Sequence, residues 1–140
     1  MQFTLNITPP TATAQEKGVS VRGGKPHHYE KKEVKAARAV LEAALAPHIP
    51  AQPMTGPIRL VTEWRFPRGK SHKDGEWRIT RPDTDNLVKG LKDCMTRLGF
   101  WDDDSRVCCE LISKTWSDNP GITIRVDEIG GDCRVYLGAD

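Results

Sequence analysis

Hydrophobic and polar positions change period several times along this chain. Phe3, Leu5 and Ile7 alternate with Gln2, Thr4 and Asn6, the two-residue period of a strand, until Pro9 and Pro10 end it. Val19 and Val21 alternate with polar residues for a shorter run, and Gly23-Gly24 follows. The next segment, Lys25 to Lys32, is basic and reads as a surface loop. From Tyr29 to Pro47 the period lengthens: Val34, Ala37, Val40, Leu41, Ala44 and Leu45 recur at helical spacing among good helix formers. Pro47, Pro50, Pro53 and Pro57 do not allow that helix to continue. Ile58, Leu60, Thr62, Trp64 and Phe66 then form one face of a strand, with Arg59, Val61, Glu63 and Arg65 on the other. Periodicity vanishes from Pro67 to Thr80, a polar loop long for a compact domain. A second helix follows Pro82, with Leu87, Val88, Leu91, Met95 and Leu98 as its buried stripe and Gly99 at its C-terminal cap. Val107 to Trp116 reads as a strand, Asp118-Asn119-Pro120-Gly121 as a turn, and Ile122, Ile124 and Val126 as the returning strand of a hairpin. From Asp127 the chain becomes Gly- and Asp-rich and reads as a tail, in which Val135 and Leu137 could add a short edge strand.

These elements predict an α/β fold of the α+β type: a two-layer sandwich with a mixed sheet of four or five strands and two helices on one face. One domain is expected over residues 1–127, with a tail over 128–140. No apolar run reaches the length of a membrane span, and the opening MQFTLNITPP lacks the basic start and apolar core of a secretory leader. Cys94, Cys108, Cys109 and Cys133 show no CxxC spacing, so reduced thiols and a cytoplasmic setting are expected.

Charge changes the picture. The net charge is only +2, but cations prevail from Lys17 to Arg38 and from Arg65 to Arg81. Between them and the next strand the balance reverses, with Asp83, Asp85, Asp93, Asp102, Asp103 and Asp104. An acidic site flanked by basic segments suits a protein that grips a polyanion and places a metal ion on it. Lys25, Lys31, Arg68, Lys70, Lys73, Arg78 and Arg81 are the candidate DNA contacts, and the 67–80 loop is expected to face DNA and order on binding.

The aspartates admit two readings. Asp83 is well placed to cap the second helix, Asp85 sits where the helix dipole favours negative charge, and Lys89 is spaced to pair with Asp85. Caps and surface pairs would then suffice, in a non-catalytic nucleic-acid-binding protein. Alternatively, clustered carboxylates repel unless a cation joins them, and hard ions such as Mg²⁺ take carboxylate oxygens and substrate phosphates. Convergence would require Asp83 to be extended rather than helical. It would also require either that the chain doubles back or that the strand starting near Asp104 runs alongside the helix.

The run Arg81-Pro-Asp-Thr-Asp-Asn-Leu-Val-Lys89, followed by Trp101 and Asp103-Asp104-Ser105-Arg106-Val107, resembles the RusA family of Holliday-junction resolvases. The likeness extends to the basic segment at Lys25 and Tyr29 and to a lysine ending the following strand, Lys114, and spans about residues 1–127. It implies a Mg²⁺- or Mn²⁺-dependent endonuclease of bacterial or phage origin, acting as a homodimer on four-way junction DNA by paired symmetric nicks in recombination and repair. By the same likeness Asp83, Asp85 and Asp104 are catalytic metal ligands, Lys89 is the catalytic lysine, and Asp103 is an auxiliary ligand. His27 and His28 depart from the family, which often has arginine there, and would weaken the grip on phosphate at neutral pH.

Overall fold

A computed structural model describes residues 1–13 and 17–131. Its elements are β1 (Gln2–Leu5), β2 (Lys17–Arg22), β3 (Lys25–Glu30), α1 (Lys32–Leu45), β4 (Ile58–Pro67), α2 (Thr84–Leu98), β5 (Val107–Ser117) and β6 (Gly121–Glu128). Short 3-10 turns occupy Ala46–His48 and Asp104–Arg106. The main sheet has the order β1-β6-β4-β5, with β5 parallel to β4 and the other pairs antiparallel.

The alternation in β4 dictates the layers. Ile58, Leu60, Trp64 and Phe66 are buried, as are Ile122, Ile124 and Val126 on β6, and they share one core with Leu41 and Leu45 of α1 and Leu87, Leu91 and Met95 of α2. Thr62 falls on this apolar face and is satisfied there, accepting a hydrogen bond from the Trp64 indole at 3.0 Å. Arg59, Val61, Glu63 and Arg65 take the opposite face of β4, which carries no helix among the described residues. The result is the expected two-layer α+β sandwich.

Two local expectations are corrected. β5 and β6 are not a hairpin, because β4 lies between them. The strand buried along one whole face gains most from two neighbours, so the 118–120 turn crosses over its end. Arg65 holds that turn by donating to the Asn119 carbonyl at 3.0 Å, and a Cβ at Gly121 would lie 2.9 Å from the Arg65 guanidinium. Next, Lys25 to Glu30 is a strand rather than a loop, so α1 begins at Lys32 rather than Tyr29. Gly23 and Gly24, both at positive φ (58° and 77°), close the β2–β3 hairpin with the left-handed turn that strand twist favours. Separately, the 67–80 segment is joined to the end of β5 by backbone hydrogen bonds. Gly75 and Arg78 donate backbone hydrogen bonds to the Trp116 and Lys114 carbonyls (2.8 and 3.1 Å), and Trp116 donates to Glu76 at 2.8 Å.

At the far end, β6 carries past Asp127 to Glu128, whose carboxylate accepts from the Thr55 amide at 2.8 Å. The expected edge strand at Val135 and Leu137 lies outside the described residues.

Candidate active site

The start of α2 shows how the sequence positions an acidic pair. Asp83 is the N-cap residue in extended conformation (φ −73°, ψ 151°), and its carbonyl opens the helix by accepting from Leu87 at 3.1 Å. Its side chain makes no capping hydrogen bond. Asp85 lies in the first turn, and both residues are exposed. Asp85 forms no ion pair with Lys89, so the surface-pair reading of these two is not realised. The head of α2 therefore presents two carboxylates that local structure does not consume.

Positive charge is built in beneath them. Lys114 of β5 reaches across and donates to the Thr80 and Pro82 carbonyls at 2.6 and 2.7 Å, fixing the turn into α2. Burial pushes the Lys114 pKa down and nearby Arg78 adds to that, while Asp83 opposes it. The Arg78 guanidinium lies over the Phe66 and Trp116 rings at 4.3 and 4.5 Å and donates to the Thr80 hydroxyl at 3.2 Å and to the Arg81 carbonyl. Burial lowers its pKa as well, though it stays a cation. A groove of about 620 Å³ runs past this turn, lined by Thr11, Thr13, Arg78, Arg81, Asp83 and Asn86.

Asp102, Asp103 and Asp104 lie past the opposite end of the helix. Asp102 receives both Nε and Nη2 of Arg106, the second at 3.0 Å, and these bonds hold its pKa below the usual carboxylate range. Asp103 accepts from the Ser105 hydroxyl at 2.9 Å. Asp104 opens the 3-10 turn before β5 and has no side-chain partner among the described residues. The 15 residues of α2, at about 1.5 Å each, put roughly 22 Å between this end and the Asp83 end. β5 does run back alongside α2, but it delivers Lys114 to the helix head, not Asp104. Accordingly, among the described residues no three acidic, histidine or cysteine side chains stand together as a metal site.

Comparison with known proteins identifies the lineage. The family described as Endodeoxyribonuclease RusA matches residues 8–127. The chain belongs to the RusA family. It is 28% identical over 131 residues to YqaN of Bacillus subtilis (strain 168), covering 86% of this chain and 91% of that one. It is also 26% identical over 130 residues to the crossover junction endodeoxyribonuclease rusA of Lactococcus phage r1t, covering 91% of this chain and 98% of the phage protein.

Of the other candidates in this RusA-family chain, Lys25, Lys70, Lys73 and Arg81 are exposed, and Lys31 precedes α1. Arg68 is partly engaged, paired with Asp118 and bonded to the His72 carbonyl at 3.0 Å. Sequence reasoning left Lys114 outside the site. Its signal was available: an even position in β5, like Glu110, which meets Lys92 of α2 at 2.6 Å on the helix-covered face.

Proposed function

We propose that this protein is a Mg²⁺- or Mn²⁺-dependent endonuclease that resolves four-way DNA junctions as a homodimer, in recombination and repair within the cytoplasm. The observation that carries the reading is the head of α2, where Asp83 and Asp85 stand exposed and unconsumed beside fixed cations in a chain of an endodeoxyribonuclease family. The name of the phage relative supports the substrate. No described helix is long and apolar enough to cross a membrane.

Two exposed carboxylates are hard oxygen donors of the kind Mg²⁺ and Mn²⁺ accept, with substrate phosphate and water completing the shell. The bound ion would supply an activated water and neutralise charge developing on the phosphate. Asp83 and Asp85 hold it, and Lys89, one turn further along α2, meets the phosphate charge. Lys114 and Arg78 fix the turn that carries Asp83, and they make the groove attractive to the DNA backbone. Arg81, Arg68, Lys70, Lys73, Lys25 and Lys31 bind phosphates further out. Asp104, with Asp103, completes the site from a second copy, since its own helix holds it about 22 Å away. A two-fold dimer then has two sites, as paired nicks require.

Incubation with a synthetic four-way junction and Mg²⁺, beside linear duplex, tests this. Symmetric paired nicks in the junction alone are expected. Salt-sensitive binding without cleavage would overturn it in favour of a non-catalytic binding protein.

A further inference from the structure

We propose that Trp77 is the residue that tells branched DNA from continuous duplex, by stacking its indole on a base left uncovered at the branch point. This rests on the reading of the site as one that acts on junction DNA, and it names the feature of that DNA which is recognised.

Trp77 is 68% exposed, and Ile79, two residues on, is 92% exposed. A lone apolar side chain in water needs no explanation, but an indole fixed in place among cations does. The backbone does the fixing. The Trp116 amide donates to the Glu76 carbonyl at 2.8 Å and the Arg78 amide to the Lys114 carbonyl at 3.1 Å, so Trp77 faces Thr115 across a short antiparallel bridge. These bonds flank a non-hydrogen-bonded pair, whose two side chains stand close together on one face of the sheet. Thr115 is matched with Arg65 of β4, so that face is the one turned away from α1 and α2. The register thus bars Trp77 from the core.

Its neighbours take the other side. The Arg78 guanidinium lies over the Phe66 and Trp116 rings, and the His72 ring stacks on Trp116 at 4.1 Å. Trp77 has no ring contact among the described residues. Residues 75–78 therefore form a rim, with Arg78 lining the groove that leads to Asp83 on one side and the free indole on the other. Lys70, Lys73 and Arg81 are exposed in the chain that flanks this rim. Cations interleaved with an open aromatic ring suit an unstacked stretch of nucleic acid: the cations hold the backbone, and the ring accepts any base.

In a continuous duplex each base face is covered by the next, and the indole has nothing to stack on. At a four-way junction the strands pass from one arm to another, and the last base pair of an arm has an open face. A strand with its phosphate in the groove crosses the rim to reach the next arm and brings that face to Trp77. Ile79 adds an apolar lip beside it.

Binding of the full-length protein to a synthetic four-way junction, and to linear duplex of the same arm sequence, is measured in EDTA so that no strand is cut. Trp77→Ala should weaken junction binding roughly 10-fold and leave duplex binding as it was. Trp77→Phe should recover most of the loss, whereas Trp77→Leu, apolar but not flat, should not. A 5-iodouracil at the branch nucleotides should photo-cross-link to the peptide carrying Trp77, and the same base inside the duplex should not. Unchanged junction binding, equal loss on both DNAs, or full recovery with leucine would overturn the proposal. So would a fall in mass by light scattering on Trp77→Ala, which would give this face to a second copy of the chain. A protein that prefers the junction through Trp77 but never cuts it would sink the nuclease reading and leave the stacking role standing. Normal cutting with undiminished binding by Trp77→Ala would do the reverse.

Discussion

The two ends of α2 carry the same chemistry and use it in opposite ways. At the tail, Asp102 is locked by Arg106 and shapes the turn into β5. At the head, Asp83 stands at the N-cap yet forgoes a side-chain cap bond that typically contributes about 1 kcal/mol, and Asp85 has no partner among the described residues. The cations at the head bind backbone carbonyls rather than these carboxylates. Acids that satisfy local groups are structural. Acids left free beside fixed cations are held ready for something from outside.

The sharpest way to break that contrast is at the free acids. Asp85→Asn should lower junction cleavage by roughly 10³-fold or more, with junction affinity and Tm nearly unchanged, as read by nicking assay and mobility shift. Asp104→Asn should do the same, whereas Asp102→Asn should keep most of the activity. Mixing the two inactive variants should restore nicking of one strand, because a mixed dimer regains one intact site. No recovery on mixing would place both acids in one chain's site.

A smaller effect is expected at Lys114. Lys114→Met leaves two carbonyls at the Asp83 turn without their donor, at a cost of about 1–3 kcal/mol of stability by denaturant titration. Cleavage should fall more than binding does, since Asp83 loses its position while the outer cations remain. Equal loss of both would make Lys114 a simple phosphate contact.

The tail end should respond least. Arg106→Ala frees Asp102 and should speed amide exchange over residues 102–107 while leaving cleavage close to wild type.

A third acid gives a control on the sheet. Asp127 is held down to about 2, chiefly by the Met1 amine at 2.8 Å, and by Arg125 and Arg59. Its pKa is lower folded than unfolded, so the stability it adds is present above its ordinary value near 3.8 and is lost as pH falls toward 2. Asp127→Asn should flatten acid unfolding in that window and leave cleavage at neutral pH unchanged.

How much of this was legible in the sequence depended on the range of the interaction. The apolar stripes of β4 and α2, the Gly99 cap and the extended Asp83 follow from local pattern, and the structure has them. Strand neighbours do not follow from local pattern. The 118–121 turn suggested a hairpin, yet β4 took the place between its two strands because burial, not chain proximity, chose the centre of the sheet. The same limit applied to the acidic residues: their spacing suggested one cluster, while the length of a helix holds the two groups apart. Lys114 was legible as the lysine that ends the strand after Asp104, but its hold on the Asp83 turn depends on the long-range return of β5.

The pairing of β1 with β6 has a consequence for how the fold is reached. Gln2 is matched with Arg125 and Leu5 with Ile122, so the first strand made finds its partner only when most of the chain is present. Leu5, fully buried in the finished molecule, must stay uncovered until then. Closing so long a loop delays the last step of sheet assembly, so β1 should acquire amide protection after β4, α2 and β5 have formed theirs.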